Sequence, residues 1–129
     1  MGQLLDIANV NGKDLTYEVI GAAMEVHRSL GPGLRECPYE NALRNELRHR
    51  RFQVDQQKAW PICYKGQVVG DCFTDLVVNS ELVIEVKSVS KIGDEEVNQV
   101  LNYLRICKLR LGLILNFKPS SLEVKRLVL

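Results

Sequence analysis

The chain lacks the features that mark membrane-spanning, secreted and strongly polyanion-binding proteins. Its 17 Lys and Arg stand against 16 Asp and Glu, so the formal net charge is only +1. Any affinity for a polyanion must therefore come from a local basic patch. No apolar run reaches the length of a membrane span. The start of the chain, with Asp6 and Asn9, also lacks the basic residues and unbroken apolar stretch of a signal peptide. We therefore expect a cytoplasmic protein without membrane contact.

Cysteine is scarce and scattered. The four copies, Cys37, Cys63, Cys72 and Cys107, include no C-x-x-C pair. The spacing therefore indicates neither a zinc site nor a dithiol redox motif, and we expect four reduced thiols, most of them buried. Internal repeats, low-complexity segments and linkers are also lacking. A length of 129 residues suits one domain, which we take to span residues 1–129.

The hydrophobic pattern predicts the element order ααβββαβ with a final β-strand as an option. Apolar residues at helical spacing predict helices at residues 14–30 and 36–50, and a third helix capped by Asp94. Asp14 is the expected cap of the first. Alternating, β-branched and aromatic residues predict the strands, at residues 57–64, 67–78, 82–88, 111–117 and, as the option, 122–129.

Two strands in the middle of this predicted sheet carry charges on one face only. Alternate residues of a strand point to opposite faces of the sheet, so each strand has two sets of side chains, which we call its two parities. One parity is wholly apolar and includes Leu76 and Ile84, whereas the other parity holds Asp75, Glu85 and Lys87. If the apolar row faces the core, the three charged groups project together from the opposite face. The hairpin then brings two carboxylates and an ammonium to one place.

The length of the loop between these strands decides whether the two carboxylates meet. A two-residue loop at residues 79–80 would pair Asp75 with Ile84 and turn Glu85 toward the core. A three-residue loop at residues 79–81, or a bulge, pairs Asp75 with Glu85 instead. We predict the second register, because it satisfies both the core and the charges.

Two carboxylates on neighbouring strands offer the hard oxygen ligands that Mg²⁺ or Mn²⁺ prefers. Lys87 points the same way, so its ammonium could orient a water or balance charge on a phosphate. The alternative is a surface salt bridge among Asp75, Glu85 and Lys87, which is the commoner meaning of such a pattern. Val77 and Val83 flank the charges and indicate partial burial, which favours the functional interpretation.

These residues resemble a known family. Asp75 is followed, after nine residues, by Glu85, Val86 and Lys87. This spacing resembles the core signature of the PD-(D/E)XK nuclease superfamily, although Thr74 stands where the name has proline. Two further motifs are similar to elements of that superfamily. They are Q-x-x-x-Y of RecB-like members, at Gln99 and Tyr103, and G-x-x-E-x-x-Y of the GxxExxY proteins, at Gly33, Glu36 and Tyr39.

The resemblance implies an α/β fold with a restriction-endonuclease-like core, in which helices flank a central mixed β-sheet. It also implies a Mg²⁺- or Mn²⁺-dependent cut in a phosphodiester of nucleic acid, with DNA as the expected substrate. Carried over to this chain, Asp75, Glu85 and the backbone carbonyl of Val86 would hold the metal. Lys87 would position or activate water.

The resemblance implies further site residues around these four. Glu36 matches the acidic residue that such nucleases supply from a helix before the sheet, and Glu40, one turn on, could substitute for it. Gln99 and Tyr103 would face the same pocket.

Basic residues on the second helix are candidates for substrate binding. Arg44, Arg48 and Arg51 line one stripe and could follow a phosphate backbone, although a solvated basic face is equally consistent with the pattern.

Two other functions stay open. The chain could be a catalytically inactive nuclease-like module that binds nucleic acid or a protein partner, since a fold does not fix an activity. It could also be a structural protein with an ion-pair network. The intact set of Asp75, Glu85 and Lys87 favours an enzyme, and a homodimer would let two sites address two strands.

Overall fold

The computed structural model describes residues 9–10 and 13–129, with side chains from Leu15 onward. The described part contains three helices: α1 Leu15–Leu30, α2 Glu36–His49 and α3 Asp94–Cys107. Its strands are β1 Asn9–Val10, β2 Lys13–Asp14, β3 Val54–Tyr64, β4 Gln67–Val78, β5 Leu82–Lys87, β6 Leu111–Asn116 and β7 Glu123–Val128.

The main sheet has five strands in the order β3-β4-β5-β6-β7. Neighbouring strands are antiparallel except β5 and β6, which are parallel and are connected through α3. The short strands β1 and β2 pair only with each other. This arrangement confirms the α/β fold with a central mixed sheet, and β7 confirms the optional last strand.

Helices cover both faces of the sheet. One apolar cluster joins α1 and α2 to residues such as Leu76, Ile84 and Leu113, and a second joins α3 to Val83 and Ile114. Helix α3 lies so close to β6 that a side chain at position 112 would require the neighbouring side chains of α3 to shift. A Cβ on Gly112 would stand 3.0 Å from Val100 Cγ1. Strands β5 and β6 are therefore buried on both faces, which explains their nearly unbroken apolar sequence.

The register of β4 and β5 agrees with the sequence prediction. Val78 pairs with Leu82 and Leu76 pairs with Ile84, so residues 79–81 form a three-residue connection. Asn79 and Ser80 both have positive φ, and the backbone N–H of Glu81 donates to Val78 O at 2.9 Å. The apolar parity faces α1 and α2, which leaves the charged parity on the α3 side.

Helix α3 begins differently from the prediction. Asp94 is its first helical residue rather than its cap, and Gly93 occupies the N-cap position. Because glycine has no capping side chain, the Glu96 carboxylate reaches back and accepts the Gly93 N–H at 2.7 Å. The predicted cap at Asp14 concerns a side chain outside the described ones.

The four cysteines are all free, as expected, but most of them are not buried. Cys37 and Cys63 are exposed, Cys72 is half-buried and Cys107 is buried. The expectation fails because Cys37 lies in the first turn of α2 and Cys63 lies near the tip of the β3–β4 hairpin. Within the described chain, no helix is long and apolar enough to span a membrane.

Candidate active site

The candidate site lies where β4 and β5 separate. The backbone pairing between them runs from Val78 to Leu76 and then stops. Beyond it, at Asp75 and Glu85, side chains replace the backbone hydrogen bonds between the strands, and we call this opening the gap. The Asp75 N–H donates to Glu85 Oε2 at 3.1 Å, and the Val86 N–H donates to Asp75 Oδ2 at 2.9 Å. Each carboxylate is thus held by the backbone of the opposite strand. The predicted meeting of Asp75 and Glu85 occurs at this gap.

Burial makes this carboxylate pair electrostatically costly. Glu85 is only 4% exposed, and burial, with the charge of Asp75 adding to it, raises the pKa of Glu85 to about 8. Burial also raises the pKa of Asp75, although hydrogen bonds from the Val86 N–H and from Gln57 oppose the shift. Both groups would therefore gain from a nearby cation.

Lys87 does not supply that cation directly. Its Nζ donates to Gln99 Oε1 at 2.8 Å, and Gln99 Nε2 donates to Tyr103 Oη at 2.9 Å. The structure thus brings together three of the predicted site residues in one chain of hydrogen bonds. Burial and the negative charge of Glu85 raise the pKa of Tyr103. The phenol is therefore close enough to the carboxylate pair to feel its charge.

The ion pairs of the described residues lie elsewhere. They include Glu25–Arg28, Glu46–Arg50 and Asp55–Lys58, and among the described residues none joins Lys87 to Asp75 or Glu85. The alternative of a salt bridge among Asp75, Glu85 and Lys87 is therefore wrong in its geometry. The ammonium lowers the pKa of both carboxyl groups from a distance but forms no ion pair with either.

A further carboxylate approaches Asp75 from α2. Glu40 is buried, and its Oε2 accepts hydrogen bonds from Gln56 Nε2 at 2.9 Å and from Gln57 Nε2 at 2.8 Å. Gln57 Nε2 also donates to Asp75 Oδ1 at 3.1 Å. The charge of Glu40 contributes to the raised pKa of Asp75. No motif in the sequence pointed to Gln56 or Gln57.

Glu36 has a different position from Glu40. It is exposed, and its Oε2 accepts the backbone N–H of Ser88 at 3.3 Å, one residue after Lys87. Glu36 and Ser88 line a cavity of about 450 Å³ together with Arg35 and Lys118. Glu36 therefore borders the site at the end of β5, whereas Glu40 reaches Asp75 through Gln57.

Tyr39, the last residue of the G-x-x-E-x-x-Y motif, organises the loop before α2. Its hydroxyl donates to Gly31 O at 2.5 Å and accepts the Leu34 N–H at 3.1 Å. Its ring stacks on Phe117, with centroids 4.5 Å apart. Gly33 has φ +101°, a value that favours glycine. The tyrosine and the glycine of the motif thus shape the loop that presents Glu36.

The three candidate arginines are not equivalent. Arg44 donates to Gln56 Oε1, and Arg48 donates to the backbone oxygen of Val54, so both connect α2 to β3. Arg51 lies beyond the end of α2 with φ +73°. The expectation of one helical stripe is therefore wrong for Arg51, because the chain leaves the helix after His49. Their role in binding substrate stays a prediction.

The donor atoms at the gap suit a hard divalent cation. In the described part of the chain, no group of three or more His, Cys, Asp or Glu side chains is arranged to hold a metal ion. Asp75, Glu85 and the Val86 carbonyl nevertheless offer only oxygen atoms, which Mg²⁺ and Mn²⁺ prefer. The buried Glu85 and the half-buried Asp75, which form no ion pair among the described residues, are also a pair that a cation would stabilise. The residues therefore fit such a metal.

The comparison with family models agrees with this architecture. The family model of the PD-(D/E)XK nuclease superfamily matches residues 13–127. The chain therefore belongs to the PD-(D/E)XK nuclease superfamily. A search of curated proteins finds no match. Among solved structures, the chain is similar to the crystal structure of SSO0001, at 15% identity and a TM-score of 0.49 over 88% of this chain and 77% of that one.

Proposed function

We propose that the protein is a metal-dependent nuclease that hydrolyses phosphodiester bonds in DNA. The observation that carries the proposal is the pairing of the half-buried Asp75 with the buried Glu85 at the gap between β4 and β5, with Lys87 beside it. Membership of the PD-(D/E)XK superfamily makes nucleic acid the expected class of substrate. Magnesium or manganese is the metal that these oxygen donors favour.

The residues at the gap would have separate roles in metal binding and catalysis. Asp75, Glu85 and the Val86 carbonyl would hold the cation, which when bound supplies a Lewis acid for the scissile phosphate. Lys87 would orient the attacking water or offset the negative charge that grows on the phosphate oxygens. Gln99 would hold the Lys87 ammonium, since it already accepts a hydrogen bond from it. Tyr103 would fix the Gln99 amide in turn.

We assign the upstream acidic role to Glu40 rather than to Glu36. The support is that Glu40 is buried, shares Gln57 with Asp75 and raises the pKa of Asp75. Glu36 is exposed and bonds the backbone of Ser88 instead. We also infer membership of the GxxExxY group from the motif at residues 33–39, in which Glu36 would help to keep the end of β5 in place.

The alternative is a catalytically inactive module that binds nucleic acid or a protein partner. Two basic residues support binding in either case, because Arg35 and Lys118 line the cavity next to Ser88 together with Glu36. What favours catalysis is that Asp75 and Glu85 meet at the gap, and that Lys87, which is hydrogen-bonded to Gln99, lies close enough to lower the pKa of both carboxyl groups. A homodimer is a further proposal, since cleavage of both strands of a duplex in one encounter needs two sites.

The proposal is tested by a cleavage screen in Mn²⁺. Single-stranded, duplex, flap and junction DNA, with matched RNA, are incubated with the wild type and with Asp75→Asn. We expect wild-type cleavage of at least one DNA substrate, with loss of cleavage on chelation and in the variant. The asparagine keeps an acceptor for the Val86 N–H, so the variant should remain folded.

Two results would contradict the proposal. Cleavage that survives in Asp75→Asn would come from a contaminating nuclease or from another site. An inactive wild type that still binds DNA with the same affinity as Asp75→Asn would favour the binding module.

A further inference from the structure

Gln57 has an unusual backbone conformation for a residue inside a strand. Its φ is +50°, in the left-handed region that residues other than glycine rarely adopt. The β3–β4 ladder pairs Gln56 with Leu76 and Lys58 with Thr74, and Gln57 between them has no pairing partner. Such local strain persists only where the surroundings hold it, and it is common at functional sites.

The side chain of Gln57 lies between two carboxylates. Its Nε2 donates to Glu40 Oε2 on α2 at 2.8 Å and to Asp75 Oδ1 on β4 at 3.1 Å. The two hydrogens of one amide nitrogen can serve both acceptors. Gln57 thus offsets part of the repulsion that the Glu40 charge imposes on Asp75.

A divalent cation would need the same carboxylate oxygens. Its oxygen ligands stand at roughly 2.0 to 2.6 Å, closer than the hydrogen bonds that Gln57 makes. An amide nitrogen is a donor and cannot ligate a cation.

We propose that the Gln57 amide occupies, in the metal-free protein, carboxylate oxygens of Asp75 and Glu40 that a divalent cation held at the Asp75–Glu85 pair would also use, so that metal binding displaces Gln57. The inference rests on the proposed function, because it requires a cation at this site. Gln57 is exposed, so its side chain can leave into solvent without disturbing the core. The amide is thus an internal competitor that lowers the affinity for metal.

The test measures metal binding without nucleic acid. Mn²⁺ is titrated calorimetrically into the wild type, Gln57→Gly and Gln57→Ala. Glycine accepts the positive φ and removes the amide, and alanine removes the amide while keeping a Cβ. We expect Mn²⁺ to bind both variants about tenfold more tightly than the wild type, since displacement no longer breaks two hydrogen bonds to charged groups.

Gln56→Ala is the matched control. Gln56 Nε2 donates to the same oxygen of Glu40 and to Asn41 Oδ1, but it does not contact Asp75. If release of Glu40 alone tightened binding, Gln56→Ala would show the effect too. Mn²⁺ should bind Gln56→Ala no more tightly than the wild type.

The outcomes separate this inference from the proposed function. Equal or weaker Mn²⁺ binding by the Gln57 variants, with clear binding by the wild type, overturns the inference and leaves the nuclease proposal in place. A tightening of the same size in Gln56→Ala also overturns it. Mn²⁺ binding that is undetectable in every protein overturns both.

Discussion

The backbone N–H of Asp75 bonds the carboxylate of Glu85, at the position where β4 and β5 would otherwise exchange backbone hydrogen bonds. Backbone pairing between β4 and β5 therefore ends at this position, and the acidic side chains of Asp75 and Glu85 occupy the space between the two strands. A gap of this kind carries an unfavourable electrostatic free energy, because the buried carboxyl group of Glu85 lies next to the half-buried one of Asp75. That free energy becomes available when a cation binds.

The first prediction concerns the pH dependence of stability in the presence of a chelator. The pKa of Glu85 is about 8 in the folded protein against an ordinary value of 4.5. Between these values the folded protein holds a proton that the unfolded chain has released. The free energy of unfolding should therefore fall as pH rises from about 4.5 to about 8, by up to about 1.4 kcal/mol per pH unit. Urea unfolding at pH 5 and pH 8 measures the change.

Glu85→Gln is the control for this pH dependence. The amide cannot ionise, so the fall in stability across the same window should be much smaller in the variant. Saturating Mn²⁺ should reduce the fall in the wild type as well, because a cation favours the ionised carboxylate. An equal fall in the wild type and in Glu85→Gln would contradict the assignment.

The second prediction separates the role of Lys87 in catalysis from metal binding. Lys87 makes a hydrogen bond to Gln99 and no ion pair within the described chain, so Lys87→Ala should unfold at nearly the temperature of the wild type. Turnover should fall by roughly a hundredfold or more, because the ammonium acts mainly in the transition state. Calorimetry should show Mn²⁺ affinity that is kept or increased, since the site becomes more negative.

Gln99→Ala provides the comparison for Lys87. This variant keeps the ammonium but removes the acceptor that holds it, so turnover should fall less than in Lys87→Ala. Unchanged cleavage by Lys87→Ala would remove Lys87 from the reaction.

The third prediction compares the two acidic residues of α2. Glu40→Gln should weaken Mn²⁺ binding by about tenfold, because it removes a buried charge that Gln57 links to Asp75. Glu36→Gln should change the affinity little, because Glu36 is exposed and bonds a backbone N–H. Parallel Mn²⁺ titrations of the two variants measure the difference. The reverse order of effects would restore Glu36 as the upstream acidic residue.

The fourth prediction concerns Tyr39, whose contacts indicate a structural role. Tyr39→Phe removes the hydroxyl that joins Gly31 O to the Leu34 N–H while it keeps the ring on Phe117. The free energy of unfolding should fall by about 1 kcal/mol, and Mn²⁺ affinity should stay the same. Chemical denaturation and calorimetry test the two parts. A large loss of metal affinity without a loss of stability would mean that the hydroxyl acts in the site.

The sheet and the carboxylate pair could be predicted because both depend on local parity. Alternation places Asp75 and Glu85 on one face, and the core admits only the register that does so. The predicted and observed register agree through Val78 and Leu82. The placement of Gln99 and Tyr103 near Lys87 does not follow from parity. It is implied only by the resemblance of the Q-x-x-x-Y motif, and the structure joins the three residues by hydrogen bonds.

The sequence leaves Glu36 and Glu40 open as the acidic residue from α2, and nothing in its pattern points to Gln57. The contact between Glu40 and Gln57 depends on how α2 packs against β3 and on a positive φ at Gln57, and neither is encoded in the alternation of residues. Glutamine on a strand also carries no distinctive signal. Tertiary packing therefore decided which acidic residue of α2 approaches Asp75.

The long hairpin of β3 and β4 has a consequence for amide hydrogen exchange. Strand β4 pairs with β3 along its length but with β5 only from Leu76 to Val78, so the outer part of the hairpin is a two-stranded ribbon. Its exposed Tyr64 and Val68 give it little burial to resist opening. Amide protection should therefore decline steadily from Val78 toward the turn at Gly66, while β5 and β6 exchange only through global unfolding.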